Sequence, residues 1–178
     1  YRAGGASVDA KKTRPKVPEE VGGLPLLCVG SQILGGSRDT RGVVGPVLKA
    51  LATRSGMLRG ILTLLNCETK GISIESAYGL SRSQKERGKY RLGEGVTGQV
   101  VQSGKPFIVP HISEEPQFLD RTRSRKGVAK DDISFICVPI KLGTEVIGAF
   151  SLDRLFSDEV SLNEDVRLLT IIGSMIAQ

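Results

Sequence analysis

The 178-residue sequence predicts an α+β fold, a central antiparallel sheet with helices packed on it. Two apolar, β-rich pairs of segments carry that reading, residues 59–66 with 72–78 through the turn ETKG, and 134–141 with 145–153 through Gly143-Thr144. Segments of helical periodicity stand at both ends of the chain. The helix at 96–102 is too short for the dozen or more residues that a parallel crossover needs, and the two hairpins point to an antiparallel sheet.

Taken in order, residues 1–22 are rich in Lys, Gly, Pro and Ala without periodicity, as in a flexible tail or cloning remnant, and 23–178 form the folded domain. Residues 24–34 permit a helix closed by Gly35-Gly36. Asp39 is a candidate N-cap for a second helix with Val43, Val44, Val47, Leu48 and Leu51 on its apolar face. Pro46 requires that this helix kink or begin near Gly45. After the first hairpin, residues 81–87 read as one or two helical turns, 96–102 as a short helix ended by Gly104, and 107–109 as a short strand. Residues 111–132 form a long polar loop containing Arg121, Arg123, Arg125 and Lys126, a length between strands that often serves function. After the second hairpin, Ser161 and Glu164 are spaced as a capping box before a helix through Val166, Leu169, Ile172 and Ile176. Leu168, Ile171 and Met175 widen its apolar face, which predicts burial against the sheet and against a second copy of the chain, a homodimer.

Composition narrows the function classes. Apolar residues at 39% and charged residues at 25% are ordinary for a globular domain, and no segment offers the long uncharged apolar run of a membrane span. Cys28, Cys67 and Cys137 are odd in number and far apart, which argues against a disulfide framework and suits a reducing cytoplasm. A single histidine, His111, argues against a metal site of the usual ligand sets, and no metal and no cofactor is expected. The net charge of +6 with few aromatics and no tryptophan disfavours a base-stacking surface. It fits solvated loops, an anionic small ligand or an acidic partner.

The segment GEGVTGQVVQSGKPFIVP contains a G-x-G-x-x-G at Gly93, Gly95 and Gly98. In a dinucleotide fold such glycines follow a buried strand and open a crossover helix. Here the preceding RGKYRL is too polar for a central strand and the following helix is too short. No HRD or DFG follows either, which removes a kinase loop. The glycines are expected to serve a sharp entry into the short helix, through positive φ and close backbone approach.

RGILTLLN, YGLS, RLGEGVTGQVVQSGKPFIVPHISEEPQFLDRT and ISFICVPIKLGTEVIGAFSLDRLF resemble the GAF domain. More narrowly they resemble the amino-terminal GAF domain of the NifA family of nitrogen-fixation activators, over about residues 24–178. The resemblance implies a central antiparallel sheet with terminal helices on one face and pocket-forming loops and short helices on the other. It implies a cytoplasmic, non-enzymatic sensory domain, one part of a longer regulator, that controls a following AAA+ ATPase acting with the alternative sigma factor. DNA and sigma factor would be met only by domains outside this chain. Some relatives of this kind bind 2-oxoglutarate and others answer to a PII-type signal protein.

The candidate ligand-binding residues are Arg91, Thr97, Arg121, Arg123, Ser134, Phe135, Cys137 and Arg154, from the loop and strands that bound the pocket in such a fold. Arg121 or Arg123 could grip a carboxylate through a bidentate fork or remain in a solvated loop, and Arg154 could instead pair with Asp153 or Glu94. Cys137, mid-strand, reads as a small buried hydrophobe, with no neighbour suited to thiolate or chromophore chemistry. The cyclic-nucleotide signature of some GAF domains is not matched by the F-x-D-E at Phe156, Asp158 and Glu159. The rival to a metabolite sensor is an interaction module whose pocket is filled by Phe118, Phe135 and Phe150.

Overall fold

A computed structural model describes residues 38–53 and 56–178. The tail at 1–22 and the helix expected over 24–34 lie outside the described residues. The first described element, α1 (Arg38–Ala52), buries Val44, Leu48 and Leu51, while Val43 points away from that face. It runs through Pro46 and does not start near Gly45. Pro46 is on the exposed side, one turn after an exposed Gly42, so the carbonyl deprived of its helical partner faces water.

Six strands follow, β1 (Met57–Leu65), β2 (Gly71–Tyr78), β3 (Lys89–Arg91), β4 (Phe107–Val109), β5 (Ile133–Leu142) and β6 (Glu145–Leu155). They form one antiparallel sheet in the order β3-β2-β1-β6-β5-β4. Both predicted hairpins are present. The RGKYRL run, too polar for a central strand, supplies the three-residue edge strand β3, where charged side chains reach solvent and deter further pairing. Between β2 and β3 the helix α2 (Arg82–Arg87) opens on a complete capping box, with Ser81 and Gln84 exchanging side-chain-to-backbone hydrogen bonds. The helix α3 (Gly95–Ser103) follows β3, and α4 (Leu162–Ile176) closes the chain; at its start Ser161 accepts from the Glu164 backbone.

Alternation along β5 divides the core. Ile136, Val138 and Ile140 join Leu62, Leu64, Phe150, Leu152 and the buried faces of α1 and α4. Ile133, Phe135 and Cys137 face the other way, towards Val96, Val100 and Val101 of α3 and towards Ile112 and Phe118 of the β4–β5 connection. Helices therefore cover one face, and α3 with the long loop covers the other. The antiparallel α+β architecture expected from the sequence is the one observed.

The three motif glycines divide their work. Gly93 and Gly95 have φ of 81° and 64°, values that L side chains rarely adopt. At Gly98 the demand is space, since a Cβ there would sit 2.4 Å from the Arg91 carbonyl oxygen. That contact fixes α3 against β3 and so positions one wall of the pocket face. Gly98→Ala is expected to lower unfolding free energy by about 1–3 kcal/mol, as overpacking against rigid backbone does. Gly42→Ala, in open space on α1, is expected to be neutral or mildly stabilising. Urea denaturation of both variants checks the contrast.

Candidate functional site

The loop-covered face of the sheet is organised around one carboxylate. Asp153, near the end of β6, is only 1% exposed. Burying a lone carboxylate is costly, so it requires cationic partners. Arg59 stands opposite it in the β1–β6 register and donates from Nη1 to Asp153 Oδ2 at 3.0 Å. Arg125, from the long loop, donates from Nη2 to Oδ1 at 2.9 Å. Arg125 Nη1 reaches Asp120 Oδ1, within the loop, at 2.7 Å. The four side chains balance in charge.

Arg59 and a further arginine, Arg87, stitch the loop down. Arg59 Nη2 donates to the Ser124 carbonyl at 2.7 Å, and Arg87 Nη2 from the end of α2 donates to the Thr122 carbonyl at 3.0 Å. Arg125 also lies over aromatic rings, 4.7 Å from the Phe118 centroid and 5.8 Å from that of Phe135. Those two rings meet edge to face at 5.0 Å. Burial pulls the Arg125 guanidinium towards neutrality, but the charges and hydrogen bonds of Asp153 and Asp120 outweigh it and raise it above its ordinary range. Arg125 Nε is nonetheless a buried polar atom with no hydrogen-bond partner.

Arg125 lines a small cavity of about 10 Å³. Thr63, Tyr90, Thr97 and Ser151 contribute polar groups to its wall, and Ile61, Ile74, Val96, Phe118, Leu119 and Phe135 the rest. Room for roughly one water, where small-molecule pockets typically occupy some 300–1,000 Å³, means that the face is closed as it stands. Outside it, an open groove of about 530 Å³ runs between α2 and the loop, bordered by Arg87, Lys89, Arg121 and Arg123 with Glu86 and Asp120.

The eight sequence-derived candidates fall into separate places. Thr97 and Phe135 line the closed cavity, and Cys137 is hydrogen-bonded to Thr97 behind it. Arg121 and Arg123 border the outer groove; Arg121 pairs with Glu94 and Arg123 holds a φ of 54°. The carboxyl of Glu94 is held below its usual range by the Arg91 backbone N–H and by the Arg121 charge. Arg91 is exposed at the sheet edge. Ser134 donates to the Pro110 carbonyl at 2.6 Å and takes no part in the cavity wall. Arg154 lies on the opposite face, because successive strand residues alternate; it pairs with Asp165 of α4, neither Asp153 nor Glu94.

Arg125, Tyr90 and Asp153 were not singled out from the sequence. The available signal was an acidic residue closing an otherwise apolar core strand, which obliges basic partners to converge there. Of the suspected filling aromatics, Phe118 and Phe135 occupy the cavity face, whereas Phe150 belongs to the core under the helices. Cys137 is free and buried. Among the described residues no cluster of three His, Cys, Asp or Glu side chains could hold a metal, and no helix is long and apolar enough to cross a membrane.

Comparison with known proteins places this geometry. The family pattern described as the GAF domain matches residues 39–178. The nitrogen fixation protein AnfA of Azotobacter vinelandii is 41% identical over 155 residues, 86% of this chain and 29% of that protein. The Nif-specific regulatory protein of Azospirillum lipoferum is 38% identical over 151 residues, 83% of this chain and 24% of that protein. The chain thus spans under a third of the length of these relatives. Among solved structures, a GAF domain from A. aeolicus crystallised in an inactive state superposes with a TM-score of 0.69 at 26% identity, covering 87% of this chain and 96% of that one.

Burial pushes the Tyr90 phenol up to about 12, against the lowering charge of Arg125, and the Cys137 thiol also to about 12, against a hydrogen bond from Thr97. Both groups are neutral in the folded chain at neutral pH and ionise more readily when unfolded. Their stabilising contribution is therefore complete below the unfolded values, about 9 for the thiol and 10 for the phenol, and is lost as pH rises towards 12. Urea midpoints measured from pH 7 to pH 11 should fall progressively above about pH 9, and peptide mapping should find Cys137 unalkylated in the native chain at pH 8.

Proposed function

The chain belongs to the GAF domain family, as a regulatory and non-catalytic domain of the kind found in Nif-specific regulators, and we propose that it senses a small anionic metabolite, 2-oxoglutarate being the best candidate. The observation that carries this reading is Arg125. A buried guanidinium with one unpartnered nitrogen lines a polar-walled cavity, beneath a loop fastened by ion pairs and carbonyl contacts. The reading is supported by Tyr90 and Thr97, which line the cavity and carry hydrogen-bonding groups, and by Arg121 and Arg123, which border the groove outside it.

With room for only a water in the closed form, a ten-atom dicarboxylate needs the loop around 118–126 to lift. Its apparent affinity is then reduced by the fraction of molecules already open, and binding shifts the chain towards that open form. In a longer regulator such a shift would pass to a following AAA+ ATPase that works with the alternative sigma factor in the cytoplasm, DNA being contacted by another domain.

A second reading is favoured by the packing itself. Phe118 and Phe135 fill the space a ligand would need, as in an interaction module answering to a PII-like protein. Val43 on α1 and Ile171 and Met175 on α4, at 58%, 60% and 71% exposure, leave apolar side chains uncovered on the helical layer, which supports a homodimer.

Calorimetry and thermal unfolding with millimolar 2-oxoglutarate separate the two. The metabolite reading expects saturable heat and a raised unfolding midpoint, with Arg125→Lys weakening binding by about 10- to 150-fold, the worth of a charge-assisted hydrogen bond of roughly 1.5–3 kcal/mol. A wild-type chain that gives neither heat nor shift would discard it and leave the interaction module.

A further inference from the structure

We propose that the open groove between α2 and the loop docks an acidic, extended segment of a partner protein, which joins its two banks and keeps the loop down. The inference rests on the second reading, an interaction module, and gives that module a surface and its partner a chemistry. One bank carries Arg87 and Lys89, from α2 and β3, and the other carries Arg121 and Arg123, from the loop. Phe118 and Leu119 add apolar surface to the same groove.

Charge balance selects an anionic occupant. The two acids of the groove are already paired, Glu86 with Arg82 at 3.2 Å and Asp120 with Arg125 at 2.7 Å. Arg121 pairs with Glu94. Among the described residues, Arg87, Lys89 and Arg123 have no carboxylate partner, so unmatched positive charge stands on both banks. Arg87 donates from Nη2 to the Thr122 carbonyl at 3.0 Å, which ties bank to bank without neutralising its charge.

Arg123 stands apart in its backbone. Its φ of 54° lies in the left-handed region, where glycine is at ease and an arginine is not. The turn is closed by the Arg123 N–H, which donates to the Asp120 carbonyl at 3.1 Å, so the fold uses this backbone and not the side chain. Arg123 is exposed on the groove, while Thr122, Ser124 and Arg125 beside it are buried. An unfavourable conformation kept for a side chain with no ion pair within the chain is explained by something that side chain meets outside it.

A protein segment fits better than a small solute or a nucleic acid. Small-molecule sites bury most of their ligand, and this groove is open. A phosphate backbone wants a continuous cationic track and free aromatic faces for its bases. Here Glu86 and Asp120 interrupt the track, and Phe118 is engaged by Arg125 and Phe135. Carboxylates flanking one apolar side chain match basic banks that also carry Phe118 and Leu119. Those two residues line the small cavity as well, and the banks belong to different segments. An occupant joined to both banks therefore favours the closed loop.

The test is calorimetric titration of this chain with a short synthetic peptide of glutamates about one central leucine. Salt-sensitive binding is expected, weakened about three- to fivefold by Arg123→Gly and likewise by Lys89→Ala, the worth of an exposed ion pair. Arg123→Gly should at the same time leave the urea midpoint unchanged or raise it, which a merely structural arginine would not do. Bound peptide should slow hydrogen exchange at the amides of residues 118–126. No binding by wild type, or equal binding by both variants, overturns the proposal. A single-stranded oligothymidylate that binds as tightly as the peptide also overturns it and assigns the groove to nucleic acid. Should Arg123→Gly fail to fold, Lys89→Ala on the opposite bank decides alone. The interaction reading is judged separately, by titration with a PII-like protein: equal binding to wild type and both variants keeps that reading on another surface, and no binding discards it.

Discussion

The buried carboxylate of Asp153 is the constraint on which the loop-covered half of the molecule depends. An ionised group taken this far from water is tolerated only with close partners, and breaking such a pair typically costs about 3–5 kcal/mol. One partner, Arg59, comes from the neighbouring strand. The other has to come from outside the sheet, and the loop between β4 and β5 supplies it as Arg125. Once Arg125 is drawn in, Phe118 is carried with it to meet Phe135, Asp120 is brought to the outer side of the guanidinium, and the space below shrinks to the volume of one water. A loop of ordinary polarity becomes a lid because one acid on a core strand needs a second cation.

The next residue repeats the device on the other side. Arg154 follows Asp153 along β6, so its side chain turns to the helical layer and pairs with Asp165 near the start of α4. Adjacent residues of one strand therefore bind the lid on one face and the last helix on the other. Any change in how Asp153 holds its two arginines acts on a backbone segment that also anchors α4.

Much of the fold was legible in the sequence because it rests on local rules. The hairpins were marked by strand alternation and turn residues, and the glycine motif by its mismatch with a phosphate loop, which Gly93, Gly95 and Gly98 explain through φ and crowding. Pro46 left a kinked helix or a start near Gly45 open, and the helix begins at Arg38, because the cost of the proline depends on solvent exposure of the carbonyl one turn back, a tertiary fact. The pocket was legible only in part. Arg121, Arg123 and Arg125 are alike in sequence and evenly spaced, yet two are exposed and one is buried. What selects Arg125 is Asp153, 28 residues further on, and no local pattern encodes that distance. Arg154 was misplaced for a simpler reason: the face of β6 that each residue takes could not be fixed without the register.

The claim that this ion network holds the lid closed is tested most directly by a double-mutant cycle on Arg125 and Asp153, with unfolding free energy as the readout for Arg125→Met, Asp153→Leu and the pair. The account predicts strong coupling, with Asp153→Leu alone costing about 3–5 kcal/mol and the double variant less than the sum of the singles by about 1.5 kcal/mol or more. Additive effects, within about 0.5 kcal/mol, would mean that the loop is held by its apolar contacts and that the buried charges are incidental to closure.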